Sequence, residues 1–189
     1  MRIIGGQWKR TPLPVADIEG LRPTPDRVRE TTFNWLEHLL DRNWHGRACL
    51  DLFAGTGALG LEAASRGAAR VVLIESHPVA VRQLQATLDK LAAAQVSVMR
   101  GDGLALLDTL PGKFDVIFLD PPYSLNLLPR LLPACRRLLL PVGLVYAESD
   151  QAMDAASAPE WLAGWEILRA DKAGNVFFTL LKPDDKGLN

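Results

Sequence analysis

The sequence predicts an α/β fold with a mostly parallel sheet, and three patterns carry the prediction. From Ala48 onward, short apolar runs alternate with segments of helical periodicity. The runs "ACLDLFA", "RVVLIE", "VSVMR", "FDVIFLD" and "GLVYAES" are near-continuous in apolar residues, as strands covered on both faces are. The closing "WEILRADKAGNVFFTLLK" reads as two strands around Ala173-Gly174-Asn175, a hairpin that places one antiparallel strand near the sheet edge.

The elements follow in order. "MRIIGGQWKRTPLP" holds two short extended pieces about Gly5-Gly6, a small hairpin, and residues 16–23 read as loop. Thr24-Pro25 resembles an N-cap with proline at the first helical position. Val28, Thr32, Trp35, Leu36 and Leu39 then recur at helical spacing, which predicts a helix over 25–40. "ALGLEAASRG" is helical between the first two strands. A further helix after Pro78 places Val81, Leu84, Leu88 and Leu91 on one face. "LLPRLLPACRRLLL" is helical before the fifth strand, irregular at its start because Pro129 and Pro133 each remove a backbone donor.

The chain has 189 residues, 48% of them hydrophobic, which is enough for one domain with a substantial core. Its expected organisation is one unit over 1–189, comprising a basic arm at 1–23, a leading helix at 24–47 and a core at 48–189. Leu138 to Ala147, the longest apolar stretch, is too short to span a bilayer, and no secretory pattern opens the chain. Cys49 and Cys135 lie in apolar surroundings and read as buried free thiols of a cytoplasmic protein. They form no zinc pattern, so no metal is expected. His38, His45 and His77 suggest solvated or capping roles. Of the tryptophans, only Trp8, beside Lys9 and Arg10, suggests a base platform.

The net charge of −1 conceals an asymmetry, because residues 1–29 carry +3 and the remainder −4. A basic leading arm on a mildly acidic body fits a polyanion partner, and equally a solvated surface. Arg2, Lys9 and Arg10 are the candidate phosphate contacts. Arg22 and Arg27 are lesser ones, since either can pair with Asp26 or Glu30 at the helix start.

"DLFAGTGALG" follows the first strand and opens a helix, with Gly55, Gly57 and Gly60 matching G-x-G-x-x-G. Glu75 lies twenty residues after Gly55, at the end of the next strand, where a carboxylate can accept both ribose hydroxyls. The pattern predicts a nucleoside-containing cofactor, and Asp51 bears on which one. A carboxylate inside the strand repels a pyrophosphate but attracts the ammonium and sulfonium of S-adenosylmethionine. Asp102, in "RGDG", fits either an acceptor for the adenine amino group or a turn-forming residue.

"FLDPPY" then places Asp120, Pro121, Pro122 and Tyr123 at the end of the fourth strand. An exocyclic amino group on a nucleobase is a poor nucleophile because its lone pair is delocalised into the ring. Acceptors for both amino protons favour a pyramidal nitrogen, and Asp120 with the Pro121 carbonyl can supply them. Two prolines remove the N–H donors of the turn, and Tyr123 can stack on the base.

The D-P-P-Y run resembles the signature of amino-group methyltransferases acting on bases or on protein glutamine. With "RIIGGQWKR", "LRPTPDRVRETTFNWL", "CLDLFAGTGALGLEAASRGA", "LIE", "YAES" and "AGNVFFTLL", the chain looks most like the bacterial small-subunit ribosomal RNA guanine-N2 methyltransferase D (RsmD) family. That resemblance implies a seven-stranded Rossmann-like methyltransferase fold with a small N-terminal extension. It also implies S-adenosylmethionine bound by Asp51, Gly55, Gly57, Glu75 and Asp102. Asp120 to Tyr123 would hold a guanine of 16S ribosomal RNA within a partly assembled small subunit. The rivals are a DNA adenine methyltransferase, for whose target-recognition domain the chain is short, and a protein-glutamine methyltransferase, which leaves the basic arm unexplained. From other classes come a nicotinamide-dependent oxidoreductase, lacking an evident acid or base, and a non-catalytic RNA-binding module, which has no use for Asp51, Glu75 and Asp120 together.

Overall fold

The computed structural model describes residues 1–15, 24–153 and 160–184. Its centre is a seven-stranded sheet in the order β3-β2-β1-β4-β5-β7-β6. Strands β1 (Ala48–Asp51), β2 (Arg70–Glu75), β3 (Val96–Arg100), β4 (Phe114–Leu119) and β5 (Leu139–Ser149) are parallel. The hairpin of β6 (Trp165–Ala173) and β7 (Val176–Pro183) joins through β7, which pairs antiparallel with β5. β7 is thus the one strand that runs against the other six.

One apolar layer on the sheet contains Val71, Leu73, Val116, Phe118, Tyr146 and Phe178, packed beneath α1 (Asp26–Leu39), α2 (Ala58–Ser65) and α3 (Pro78–Leu91). The other contains Val72, Ile74, Ile117, Leu119 and Val145, beneath α4 (Gly103–Leu107) and α5 (Leu128–Arg136). Successive strand residues alternate between the layers, so every central strand is apolar on both faces. Phe33 of α1 stacks near Phe118, with ring centroids 5.9 Å apart, and Trp35 stacks on Phe178 at 5.3 Å. Cys49 and Cys135 are buried free thiols, and burial pushes both up, Cys135 to about 12. No helix among the described residues is long and apolar enough to cross a membrane.

Several expectations shift. The fifth strand starts at Leu139 rather than Gly143, because α5 ends at Arg136 and Leu139 already pairs with Phe114. α4 was not foreseen, being a single turn capped by Asp102. Thr24 does not cap α1; Pro25 occupies the cap position without a side-chain bond. Arg29, part of the basic count, is fully buried, donating to the Arg2 carbonyl at 2.9 Å and to Asp26 at 2.5 Å.

The N-terminal hairpin exists, with Arg2 bridged to Pro12 and Ile3 donating to the Thr11 carbonyl. It is not a loose arm. Both Glu62 oxygens accept from its backbone, from Ile4 at 2.7 Å and Gly5 at 2.8 Å. Gly6, at φ +72°, lies so close to α2 that a Cβ would stand 1.9 Å from the Ser65 carbonyl oxygen. Ile3 and Leu13 are buried in the same layer as α1 and α2. Trp8 packs against that layer, which argues against a free base platform.

Candidate active site

At the carboxyl ends of the strands, where the order reverses between β1 and β4, the structure holds a cavity of about 530 Å³. Open α/β sheets bind ligands at such a switch point, because the two flanking loops diverge there. Its volume is in the range of small-molecule sites. The wall contains Asp51, Gly55, Glu75, Asp102 and the run Asp120 to Tyr123 together. The structure therefore gathers most of the predicted site residues in one place.

The glycine loop forms because the chain must turn sharply from β1 into α2. Gly55 has φ +51°, and Gly57, at φ +77°, occupies the N-cap of α2. Gly57 shapes the turn without lining the cavity. Glu75 binds this loop directly, one carboxylate oxygen accepting from the Gly55 amide at 2.8 Å and the other from the His77 amide at 2.7 Å. Each oxygen retains a further lone-pair direction for a ligand hydroxyl. His77, given no site role from sequence, lines the cavity and caps α3 by accepting from the Val79 amide.

Asp51 is 1% exposed. Its Oδ2 accepts from the Gly60 amide at 2.9 Å, while Oδ1 is buried with no hydrogen-bond partner. Burial, aided by the charge of Glu75 and opposed by the Gly60 amide, pushes this carboxyl up to about 7. A buried carboxylate at a cavity wall, with one oxygen outside any close hydrogen bond, fits a cationic ligand. Asp102 uses Oδ1 to cap α4 through the Ala105 amide at 2.8 Å, so its turn-forming role is realised while it also borders the cavity.

Asp120 follows β4 directly, and Tyr123 opens a 3₁₀ turn, Tyr123–Leu125. Asp120 Oδ2 accepts from the Thr24 hydroxyl at 3.1 Å, which brings the start of α1 onto the cavity rim. Sequence reasoning missed two residues here, Thr24 and Glu148. Glu148 is 1% exposed, lines the cavity, and accepts from Tyr146 at 2.7 Å and from Tyr123 at 3.4 Å. Burial, then the neighbouring Glu148, holds Asp120 well above the usual carboxylate range. Glu148 also rises by burial, against the Tyr146, Thr24 and Tyr123 hydroxyls. "YAES" held the one available signal, an acid in an otherwise apolar strand.

The basic candidates lie apart from this wall. Arg2, Lys9, Arg10 and Arg27 are exposed, and none borders the cavity. Asp26 is taken by Arg29 at 2.5 Å and by Arg2 at 4.0 Å. Arg22 lies outside the described residues. The hairpin does touch the glycine loop, since the Thr56 hydroxyl lies 3.3 Å from the Met1 sulfur and Thr56 borders the cavity.

Comparison with known proteins bears on the family and the fold. Residues 1–182 match the family described as Conserved hypothetical protein 95. The chain is 39% identical over 189 residues to ribosomal RNA small subunit methyltransferase D of Escherichia coli strain K12, covering 99% of this chain and 92% of that protein. It is 38% identical over 186 residues to the protein of the same name from Haemophilus influenzae, covering 95% and 92%. A solved structure named "Putative methyltransferase yhhF from Escherichia coli" superposes with a TM-score of 0.83 at 38% identity, covering 98% of this chain and 99% of that one. A solved structure named "Crystal structure of SMU.776, a putative methyltransferase complexed with SAH", 16% identical and covering 86% of this chain and 50% of its own, has a TM-score of 0.66 and shares the fold. With a seven-stranded sheet ending in an antiparallel hairpin and a family match over nearly its whole length, the chain belongs to the ribosomal RNA small subunit methyltransferase D family.

Proposed function

We propose that this protein transfers a methyl group from S-adenosylmethionine to the N2 amino group of a guanine in small-subunit ribosomal RNA, in the cytoplasm. The observation that carries the reading is one cavity walled by a nucleoside-type loop on one side and Asp-Pro-Pro-Tyr on the other. The curated relatives named above support a ribosomal RNA substrate. The residues fit the cofactor: Glu75 for the ribose, Asp51 for the cationic end, and the Gly55 loop for close backbone approach. Adenosylmethionine supplies a methyl on a sulfonium, a neutral thioether leaving group.

The chain's own task is to hold the acceptor. Asp120 and the Pro121 carbonyl accept hydrogen bonds from the amino group, so the nitrogen lone pair is directed outward from the ring, and the Asp120 carboxylate is the base in reach of the proton that methylation releases. Pro122 stiffens the turn, and Tyr123 offers a face for stacking. Orientation of this kind replaces solvent reorganisation and supplies much of a displacement's acceleration.

Nucleoside mass spectrometry of ribosomal RNA tests the reading. Cells lacking the protein should lose one N2-methylguanine from the small subunit, and its return on complementation should require Asp120. N6-methyladenine in DNA, or methylglutamine in a protein, as the missing product would overturn the substrate.

The RNA surface has its own test. Because Ile3 and Leu13 are core residues, deleting the hairpin would damage the fold, whereas charge reversal at exposed Lys9 and Arg10 should not. The double variant Lys9→Glu, Arg10→Glu should raise KM for a partly assembled subunit. The salt dependence of binding should flatten by about 0.7–0.9 log units per lost phosphate contact. An unchanged slope would remove the hairpin from the RNA interface.

A further inference from the structure

The carboxylates of Asp120 and Glu148 stand together, and only Asp120 has a task in the reading above. In the β4–β5 register, Phe118 pairs with Tyr146 and Leu119 with Ala147, so the next step sets Asp120 beside Glu148. Side chains two residues apart on a strand share a face. The rings of Phe118 and Tyr146, one pleat earlier, are in contact at 6.1 Å. Both acids therefore face the same wall of the cavity.

Burying a second acid beside the first costs free energy unless one of the two keeps its proton or something arriving there is complementary to the ionised pair. Its built-in partners are hydroxyl donors. Tyr146 is firm at 2.7 Å on Oε1, while Tyr123 reaches Oε2 across 3.4 Å, near the outer limit of a hydrogen bond. Oε2 thus keeps capacity for a shorter contact, and the ring over it belongs to the residue assigned to base stacking.

Three bases carry an exocyclic amino group, and the ring atom beside it differs. On the Watson–Crick side of the amino group, guanine presents N1, which bears a proton, while its N3 on the other side does not. In adenine it is N1 and in cytosine N3, each presenting a lone pair. An ionised carboxylate next to the amino seat attracts the first and repels the other two, so a single residue in that state gives attraction and rejection at once. Unpaired bases are read on this edge in RNA.

We infer that Glu148 is the residue that makes the seat select guanine, accepting the N1–H while Asp120 accepts from the amino group. This assignment rests on the guanine-N2 reading and extends it from the amino group to the identity of the base.

The test begins by mapping, with the wild-type enzyme, the nucleotide that gains a methyl. RNA is then ligated with 2-aminopurine at that position, which keeps the N2 amino group but has a bare N1. Wild type should strongly prefer guanine. Glu148→Gln is close in size, and its amide can donate to a bare N1. It should cut the guanine-to-2-aminopurine ratio of kcat/KM by roughly 10–100-fold, the scale of a hydrogen bond to a charged group. Because 2-aminopurine also lacks O6, the variant-by-base cycle isolates the N1 contact. Affinity for adenosylmethionine should be unchanged, and Glu148→Asp, which keeps the charge, should still prefer guanine. An unchanged ratio in Glu148→Gln would overturn the role of Glu148 while leaving the N2-methylguanine product standing. A mapped product other than N2-methylguanine would instead remove the functional reading and this inference with it. Should the amide variant not fold, equal turnover of guanine and 2-aminopurine by wild type would by itself overturn the proposal.

Discussion

Asp120→Ala should lower kcat by roughly 10²–10³-fold, the scale seen when one preorganised polar contact to a transition state is removed. The contact strengthens as the amino nitrogen pyramidalises, so its loss falls on kcat more than on binding. Adenosylmethionine affinity should be nearly intact, since Glu75 and Asp51 lie on other strands. Single-turnover kinetics with calorimetry separate the two quantities. Tyr123→Ala should raise KM as well, because stacking also serves the ground state. Tyr123→Phe should be mild, as its hydroxyl reaches Glu148 only across 3.4 Å. Full turnover by Asp120→Ala would remove this carboxylate from the chemistry.

Asp51→Asn should stabilise the protein at pH 8 and weaken its cofactor binding at the same time. Burial sets the Asp51 carboxyl at about 7 in the folded chain, against about 3.9 when unfolded. Between those values the folded state retains a proton that the unfolded state has lost. The contribution to stability is therefore fully present below about pH 4 and lost as pH rises through about 7. Asparagine does not titrate, so the variant should gain about 1–3 kcal/mol at pH 8, less than the full shift implies because its NH₂ group lacks an acceptor. The advantage should shrink toward pH 4. Adenosylmethionine affinity should fall roughly tenfold through loss of attraction to its cationic end. Denaturation at pH 5 and 8, with and without cofactor, reads both effects. Identical differences at the two pH values would show that Asp51 is not a buried charge in the folded state.

The parts of the molecule that the sequence displayed are those whose causes are local. β2 occupies the same residues as the run "RVVLIE", because a strand covered on both faces writes an unbroken apolar word, and the edge strand β3 matches "VSVMR", whose polar Ser97 and Arg100 are exposed. Glu75 and Asp120 were legible because strand ends and prolines mark where a chain reaches the surface. Thr24 looked like a helix cap because capping is the common local use of threonine before proline. Its real partner, Asp120, is 96 residues away. Glu148 stood out in the sequence only as an acid in an apolar strand, and its place beside Asp120 became visible through the pairing of β4 with β5. Arg29 counted as surface charge because its destination, the carbonyl of Arg2, belongs to another element.

The position of β7 carries a consequence for how the chain acquires its shape. β5 is complete by Ser149, yet its second neighbour does not begin until Val176, after β6 has been made. Until that later strand arrives, the backbone of Val145 to Ser149 is an open edge, apolar over Val145 to Ala147, the kind of surface on which chains adhere to one another. The wall bearing Glu148 is therefore finished by a segment drawn from the far end of the described chain. Unfinished or clipped molecules would be prone to aggregation and would lack a completed wall behind Glu148 for one shared reason.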